Sequence, residues 1–208
     1  MLKSLKRRPH YAGWQLTEDR VRDRSADARL QLKTMAVKPG MKVADIGAGA
    51  GYFAVKIAGL VGKKGFVHAT DSRVRWVEHL RRYARNNHID NIRVKRARSD
   101  YATGMDSFGD LDLIIMINSL RFESKGDMGV ASRYAREILR MLGTGGRLIY
   151  YQDRLISGSC GKKETIELLL DAGFSGRYQD LAIPSGGSAT SEYPVPGFFL
   201  VFRKEPAA

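Results

Sequence analysis

Hydrophobic positions along the chain follow two rhythms. Apolar runs of strand length stand at 41–46 (MKVADI), 66–70 (FVHAT), 92–97 (IRVKRA), 111–117 (LDLIIMI) and 147–152 (RLIYYQ). Between 72 and 87 the apolar residues Val74, Val77, Leu80 and Ala84 recur every three or four positions, with Arg75, Glu78, Arg82 and Arg85 facing the other way. That spacing predicts an amphipathic helix with a charged outer face. Further helices are expected from the glycine turn through about Leu60, over 127–142 with Gly143, Gly145 and Gly146 ending it, and over 162–172. The run Leu111–Ile117 suits a central strand buried on both faces. Two more strands are expected at 177–183 and 198–203, paired as a hairpin across the long segment PSGGSATSEYPVPG.

Strands alternating with helices predict an α/β fold, a mostly parallel sheet with helices on both faces and right-handed crossovers. Residues 1–34 read as an arm and one or two helices on the substrate side, and residues 35–208 as the main domain. Pro39 and Gly40 end the helical stretch that begins at Thr17.

Composition narrows the classes. The single Cys160 excludes an internal disulfide and a multi-cysteine metal site. No run approaches the roughly 18 apolar residues of a membrane helix. The basic start, MLKSLKRRPHYAGW, lacks the apolar core of a secretion signal, so a cytoplasmic location is expected. The net charge of +13 is the unusual feature. Residues 71–98 hold nine basic side chains (Arg73, Arg75, Arg81, Arg82, Arg85, Arg93, Lys95, Arg96 and Arg98) against Asp71, Glu78 and Asp90, a local net of +6. Such a cluster is either a solvated surface or a contact for an anionic partner, RNA or a membrane surface.

The chemistry is carried by VADIGAGAGYFAVKIA, residues 43–58, where an apolar strand passes through three glycines into a helix. Ligands of open parallel sheets sit at such strand ends, and a following helix offers free N–H groups. A dinucleotide fingerprint needs its third glycine at 52, where Tyr52 stands, and no G-K-[ST] follows for a P-loop. The pattern is D-x-G-x-G-x-G instead, and an acidic group at Asp45 repels phosphate while suiting an ammonium. A plain tight connection between strand and helix is the bland alternative.

This motif resembles that of the class I S-adenosylmethionine-dependent methyltransferases, over roughly residues 35–203. The resemblance implies a three-layer, Rossmann-like fold with a seven-stranded sheet whose last strand is antiparallel. It implies S-adenosyl-L-methionine as cofactor, S-adenosyl-L-homocysteine as product, and Asp45, Gly47, Ala48, Gly49 and Gly51 along the methionine portion. Asp71 then holds the ribose hydroxyls, with Ser72 or Arg73 bordering the adenine. Ser99, Asp100 and Tyr101 follow the third strand near the adenine amino group, and Asn118 and Ser119 face cofactor and substrate after the fourth. Asp71 alternatively serves as a helix N-cap, and Asp100 as a partner for Arg98. The sequence N-S-L-R after strand four departs from the N/D-P-P-Y signature of amino-methyltransferases.

Methyl transfer is a direct displacement that depends mainly on alignment and proximity, so no general base is required. The substrate pocket is expected from Tyr11, Trp14, Arg121, Phe122 and Gln152, with Asp153 as a base or as an ion-pair partner of Arg154. Tyr11 and Trp14 either close over the ligand or pack on the domain. The long Gly/Ser-rich segment 184–197 suits a substrate loop. A small-molecule acceptor is expected first. RNA, a basic protein or a lipid headgroup, and a non-catalytic cofactor-binding role, are the alternatives. Oligomeric state is not legible.

Overall fold

The computed structural model describes residues 32–98, 103, 109–119, 128–153, 161–176, 178–181 and 197–206. Its elements in chain order are β1 (Lys42–Ile46), α1 (Tyr52–Val61), β2 (Phe66–Asp71), α2 (Val74–Asn86), β3 (Ile92–Arg96), β4 (Leu111–Ile117), α3 (Met128–Met141), β5 (Leu142–Asp153), α4 (Lys162–Asp171), β6 (Gln179–Leu181) and β7 (Gly197–Arg203). The strands form one seven-stranded sheet in the order β3-β2-β1-β4-β5-β7-β6. Pairings from β3 to β5 are parallel, and β7 runs antiparallel to both β5 and β6. The expected α/β sheet, its seven strands and its antiparallel last strand are all present.

Alternation along the strands divides the core into two layers. Val43, Val67, Ala69, Leu113, Ile115 and Ile149 pack with the buried faces of α1 and α2, including Ile57 and Leu80. On the other face Ala44, Ile46, Ile114, Met116, Leu148 and Tyr150 pack with Tyr134, Ile138 and Leu168 from α3 and α4. β4 serves both layers: Leu113, Ile114 and Ile115 are each 0% exposed. Each such aliphatic side chain contributes about 1.5–3 kcal/mol by leaving water. In α2 the expected stripe is buried at Val77, Leu80 and Ala84. Its first expected position, Val74, is 41% exposed because the helix begins there.

The glycines after α3 act differently from expectation. They were expected to end the helix, with a strand starting at Arg147. Instead α3 ends at Met141 and the next residue, Leu142, already pairs with Leu111 in the sheet. Gly145 N–H donates to the Lys204 carbonyl and Lys204 N–H donates to the Gly146 carbonyl, at 2.8 and 2.9 Å, so the glycine segment extends the β-structure. A Cβ on Gly146 would lie 2.6 Å from the Leu111 carbonyl oxygen, so a side chain is excluded by the neighbouring strand.

The entry to β1 is fixed from across the sheet. Residues 32–35 are helical, and Met35 is fully buried in the α1/α2 layer. Arg147 on β5 donates through Nη2 to the Met35 carbonyl at 2.7 Å. Burial, reinforced by Arg203, lowers the Arg147 pKa from its usual value. On the far side, Asn91 Nδ2 donates to the carbonyls of Ala58 and Gly62 at 2.8 and 2.9 Å, closing the end of α1.

Candidate active site

The turn after β1 is tied to the end of β2. The N–H groups of Gly47 and Ala48 both donate to the Thr70 carbonyl at 2.8 Å. Gly51 N–H closes the turn on the Ala48 carbonyl at 2.9 Å. Gly51, with φ 95°, is the N-cap of α1, and no side chain caps this helix end. The first-turn N–H groups and the positive end of the helix dipole therefore remain at the turn.

The three glycines do three different jobs. A Cβ on Gly47 would stand 2.2 Å from the Ser119 Cβ, so the first glycine lets the turn pack on the end of β4. A Cβ on Gly51 would stand 2.2 Å from Leu80 Cδ1, so the third lets α2 approach α1. Around Gly49, at φ +56°, nothing lies within 4 Å of the same position. The middle glycine alone presents its backbone to open space.

Asp71 ends β2 beside that opening. Its Oδ2 accepts from Gly49 N–H and its Oδ1 from Arg73 N–H, both at 2.9 Å. The N-cap of α2 is Arg73, and no side chain caps that helix, so Asp71 does not fill the N-cap alternative. A carboxylate has about four lone-pair directions. Two accept backbone donors here and the others are left for a ligand's hydroxyls.

A methyltransferase-domain family model matches residues 37–171. The chain belongs to that family. It is a methyltransferase, and S-adenosylmethionine is its methyl donor. The fold is shared with solved methyltransferases of low sequence identity. With the SAM-dependent methyltransferase of Aquifex aeolicus the identity is 20% and the TM-score 0.66, over 94% of this chain and 99% of that one. With the TehB-like SAM-dependent methyltransferase of Corynebacterium glutamicum ATCC 13032 the values are 16% and 0.65, over 94% and 100%. With the precorrin-6y C5,15-methyltransferase of Geobacter metallireducens they are 15% and 0.63, over 86% and 87%. No curated protein matches the chain.

The residues of this methyltransferase fit the cofactor by their own geometry. Gly49 leaves space where a Cβ would stand, and Asp71 is held ready by two backbone donors. Beside Gly47, the buried Ser119 Oγ has no hydrogen-bond partner among the described residues. Asp45 is 2% exposed, one residue before the end of β1. Ser72 is half-buried, and its carbonyl accepts from Arg96 Nε at 3.3 Å. Asn118 follows β4 at φ 52°, in the left-handed region, and its N–H donates to the Tyr151 carbonyl at 2.9 Å. Asparagine is among the few non-glycine residues that adopt this conformation readily.

The structure thus brings Asp45, Gly47, Ala48, Gly49, Gly51, Asp71, Ser72 and Asn118 to the carboxyl ends of β1, β2 and β4. Gln152 is 1% exposed within β5, and its Oε1 accepts from the Tyr150 hydroxyl at 3.3 Å. The backbone of Asp153 pairs with Gly197 at the end of β5. Tyr11, Trp14, Ser99, Asp100, Tyr101, Arg121 and Phe122 lie outside the described residues, as does most of the expected substrate loop. Sequence reasoning missed Thr70, whose carbonyl holds the turn. Its place, directly before Asp71 at the end of the second strand, was the available signal.

Proposed function

We propose that this methyltransferase transfers the methyl group of S-adenosylmethionine to a small-molecule acceptor by direct displacement, in the cytoplasm. The observation that carries the donor side is the Asp71–Gly49 hydrogen bond beside the open space over Gly49. When bound, the cofactor supplies an electrophilic sulfonium methyl group. Asp71 holds the ribose hydroxyls, the turn from Gly47 to Gly51 and the start of α1 hold the amino acid end, and Asn118 and Ser119 border the acceptor side. The neighbours' own activities agree on methyl transfer and differ in substrate. The missing N/D-P-P-Y signature supports an acceptor other than a nucleobase or glutamine amine. No helix among the described residues is long and apolar enough to cross a membrane.

A second reading, an acceptor carried on RNA, has one observation in its favour: all nine basic side chains between 71 and 98 are exposed. Labelled-methyl transfer into lysate separated into small-molecule, RNA, protein and lipid pools tests the two. Label in the small-molecule pool supports the first reading. Label confined to RNA replaces it with the second, and no transfer in any pool contradicts both.

A further inference from the structure

The peptide group between Ser72 and Arg73 is hydrogen-bonded at both of its ends. Its N–H, that of Arg73, donates to Asp71 Oδ1 at 2.9 Å, and its oxygen, the Ser72 carbonyl, accepts from Arg96 Nε at 3.3 Å. The peptide is planar and trans, so its oxygen and its hydrogen point in opposite directions. Arg96, this one peptide and the Asp71 carboxylate therefore form a continuous chain of hydrogen bonds. It ends on the carboxylate that Gly49 N–H holds from the other side.

Strand alternation puts the arginine in this place. Ile92 and Val94 of β3 pack with the α1/α2 layer, and Arg96, two residues after Val94, has the same parity. Arg96 is also the register partner of Asp71, and the next residue, Ala97, donates its N–H to the Asp71 carbonyl at 3.0 Å. Arg93 has the opposite parity, and its guanidinium lies 5.0 Å from the centre of the Phe66 ring. A reciprocal bond ties the middle of α2 to the same strand: Arg81 Nε donates to the Val94 carbonyl at 3.0 Å. The start of α2 has no capping side chain and no acidic residue in its first turn. The turn into the helix is instead braced by Asp71 on one side and Arg96 on the other.

A cation on the carbonyl polarises the peptide and strengthens the bond its N–H makes, because hydrogen bonds in series reinforce one another. Without that cation the Ser72–Arg73 peptide is free to tilt, and the Asp71 carboxylate loses the fixed position of one of its two donors. We propose that Arg96 is a positioning residue for the cofactor: through the Ser72–Arg73 peptide it sets the orientation of the Asp71 carboxylate toward the ribose hydroxyls. The proposal rests on the cofactor site built on Asp71 and Gly49, and adds to it a residue from the edge strand that no feature of the glycine motif marks.

The test is a double-variant cycle read by calorimetric titration of S-adenosylhomocysteine into the full chain. Arg96→Met is expected to weaken binding about three- to tenfold, the worth of one hydrogen bond, with a cooperative melting transition retained. In the Asp71→Ala background the same change is expected to have no further effect, because the carboxylate through which Arg96 acts is gone. Arg93→Met removes an equal charge from the opposite face of β3 and is expected to leave the affinity unchanged. This pattern supports the proposal. Parent-like affinity in Arg96→Met overturns it while leaving the cofactor site standing. A loss that persists in the Asp71→Ala background, or an equal loss in Arg93→Met, also overturns it, since Arg96 would then act through net charge or general structure. Absence of binding by the parent chain overturns the proposal and the cofactor site together.

Discussion

Asp71 Oδ2 accepts the Gly49 N–H at 2.9 Å, joining the end of β2 to the one glycine of the turn that faces open space. The second carboxylate oxygen is fixed by Arg73 N–H, so the carboxylate is oriented before any ligand arrives. Preorganisation of this kind lowers the ordering cost of binding.

Gly49→Ala is expected to fold and to lose the cofactor. The new methyl group meets nothing within 4 Å in the protein, and the left-handed φ of +56° costs about 1–2 kcal/mol. In the proposed cofactor site the same methyl group stands where the ligand would approach the Gly49 backbone. Calorimetry with S-adenosylhomocysteine is expected to show at least about a tenfold loss, equivalent to about 1.4 kcal/mol, with a cooperative thermal transition retained.

Gly47→Ala is expected to do the opposite damage. Its Cβ would collide with Ser119, 2.2 Å from that residue's Cβ and 3.2 Å from its Cα, at φ +77°. Overpacking and the backbone strain together cost about 3 kcal/mol or more, read as a fall in denaturation midpoint. Ser119→Gly in the same chain is expected to return part of that loss, since the two positions are in contact and their effects are not additive.

The glycines show what was legible in the sequence and what was not. Their spacing after an apolar strand pointed to the fold and to a candidate donor site, and the continuous apolar run of β4 marked a central strand buried on both faces. The motif gives no sign that Gly47 and Gly51 are packing positions, because Ser119 and Leu80 meet them only through the tertiary fold. For the same reason Gly143, Gly145 and Gly146 read as a helix stop, whereas Leu111 on β4 and Lys204, just past the end of β7, make them part of the sheet.

Stability is expected to fall as pH drops from 6.5 toward 4, with a contribution from His68. Its folded pKa is lowered from 6.5 to about 4, first by burial and then by the Arg93 charge facing it from β3. The unfolded chain therefore takes up the proton first. The contribution is complete above pH 6.5 and is lost progressively as pH falls toward 4. Melting temperatures between pH 7 and 4.5 are expected to drop less steeply in His68→Gln than in the parent chain. Equal slopes would remove His68 from the explanation.

Arg147→Met is expected to loosen the segment leading into β1. It leaves the Met35 carbonyl without the 2.7 Å bond that now holds it to β5. A lost bond to a buried carbonyl costs about 1–3 kcal/mol. Hydrogen exchange is expected to rise in the peptide covering residues 32–40, with little change in β4.

The most direct measurement is calorimetric titration of S-adenosylhomocysteine into the parent chain and into Asp71→Ala, with matched circular dichroism spectra. One-to-one binding by the parent chain and at least about a tenfold loss in the variant are expected, because the variant removes the hydroxyl-holding carboxylate and the acceptor of Gly49 N–H. Equal affinity in the two proteins, or no binding by the parent chain, would contradict the cofactor site built on Asp71 and Gly49.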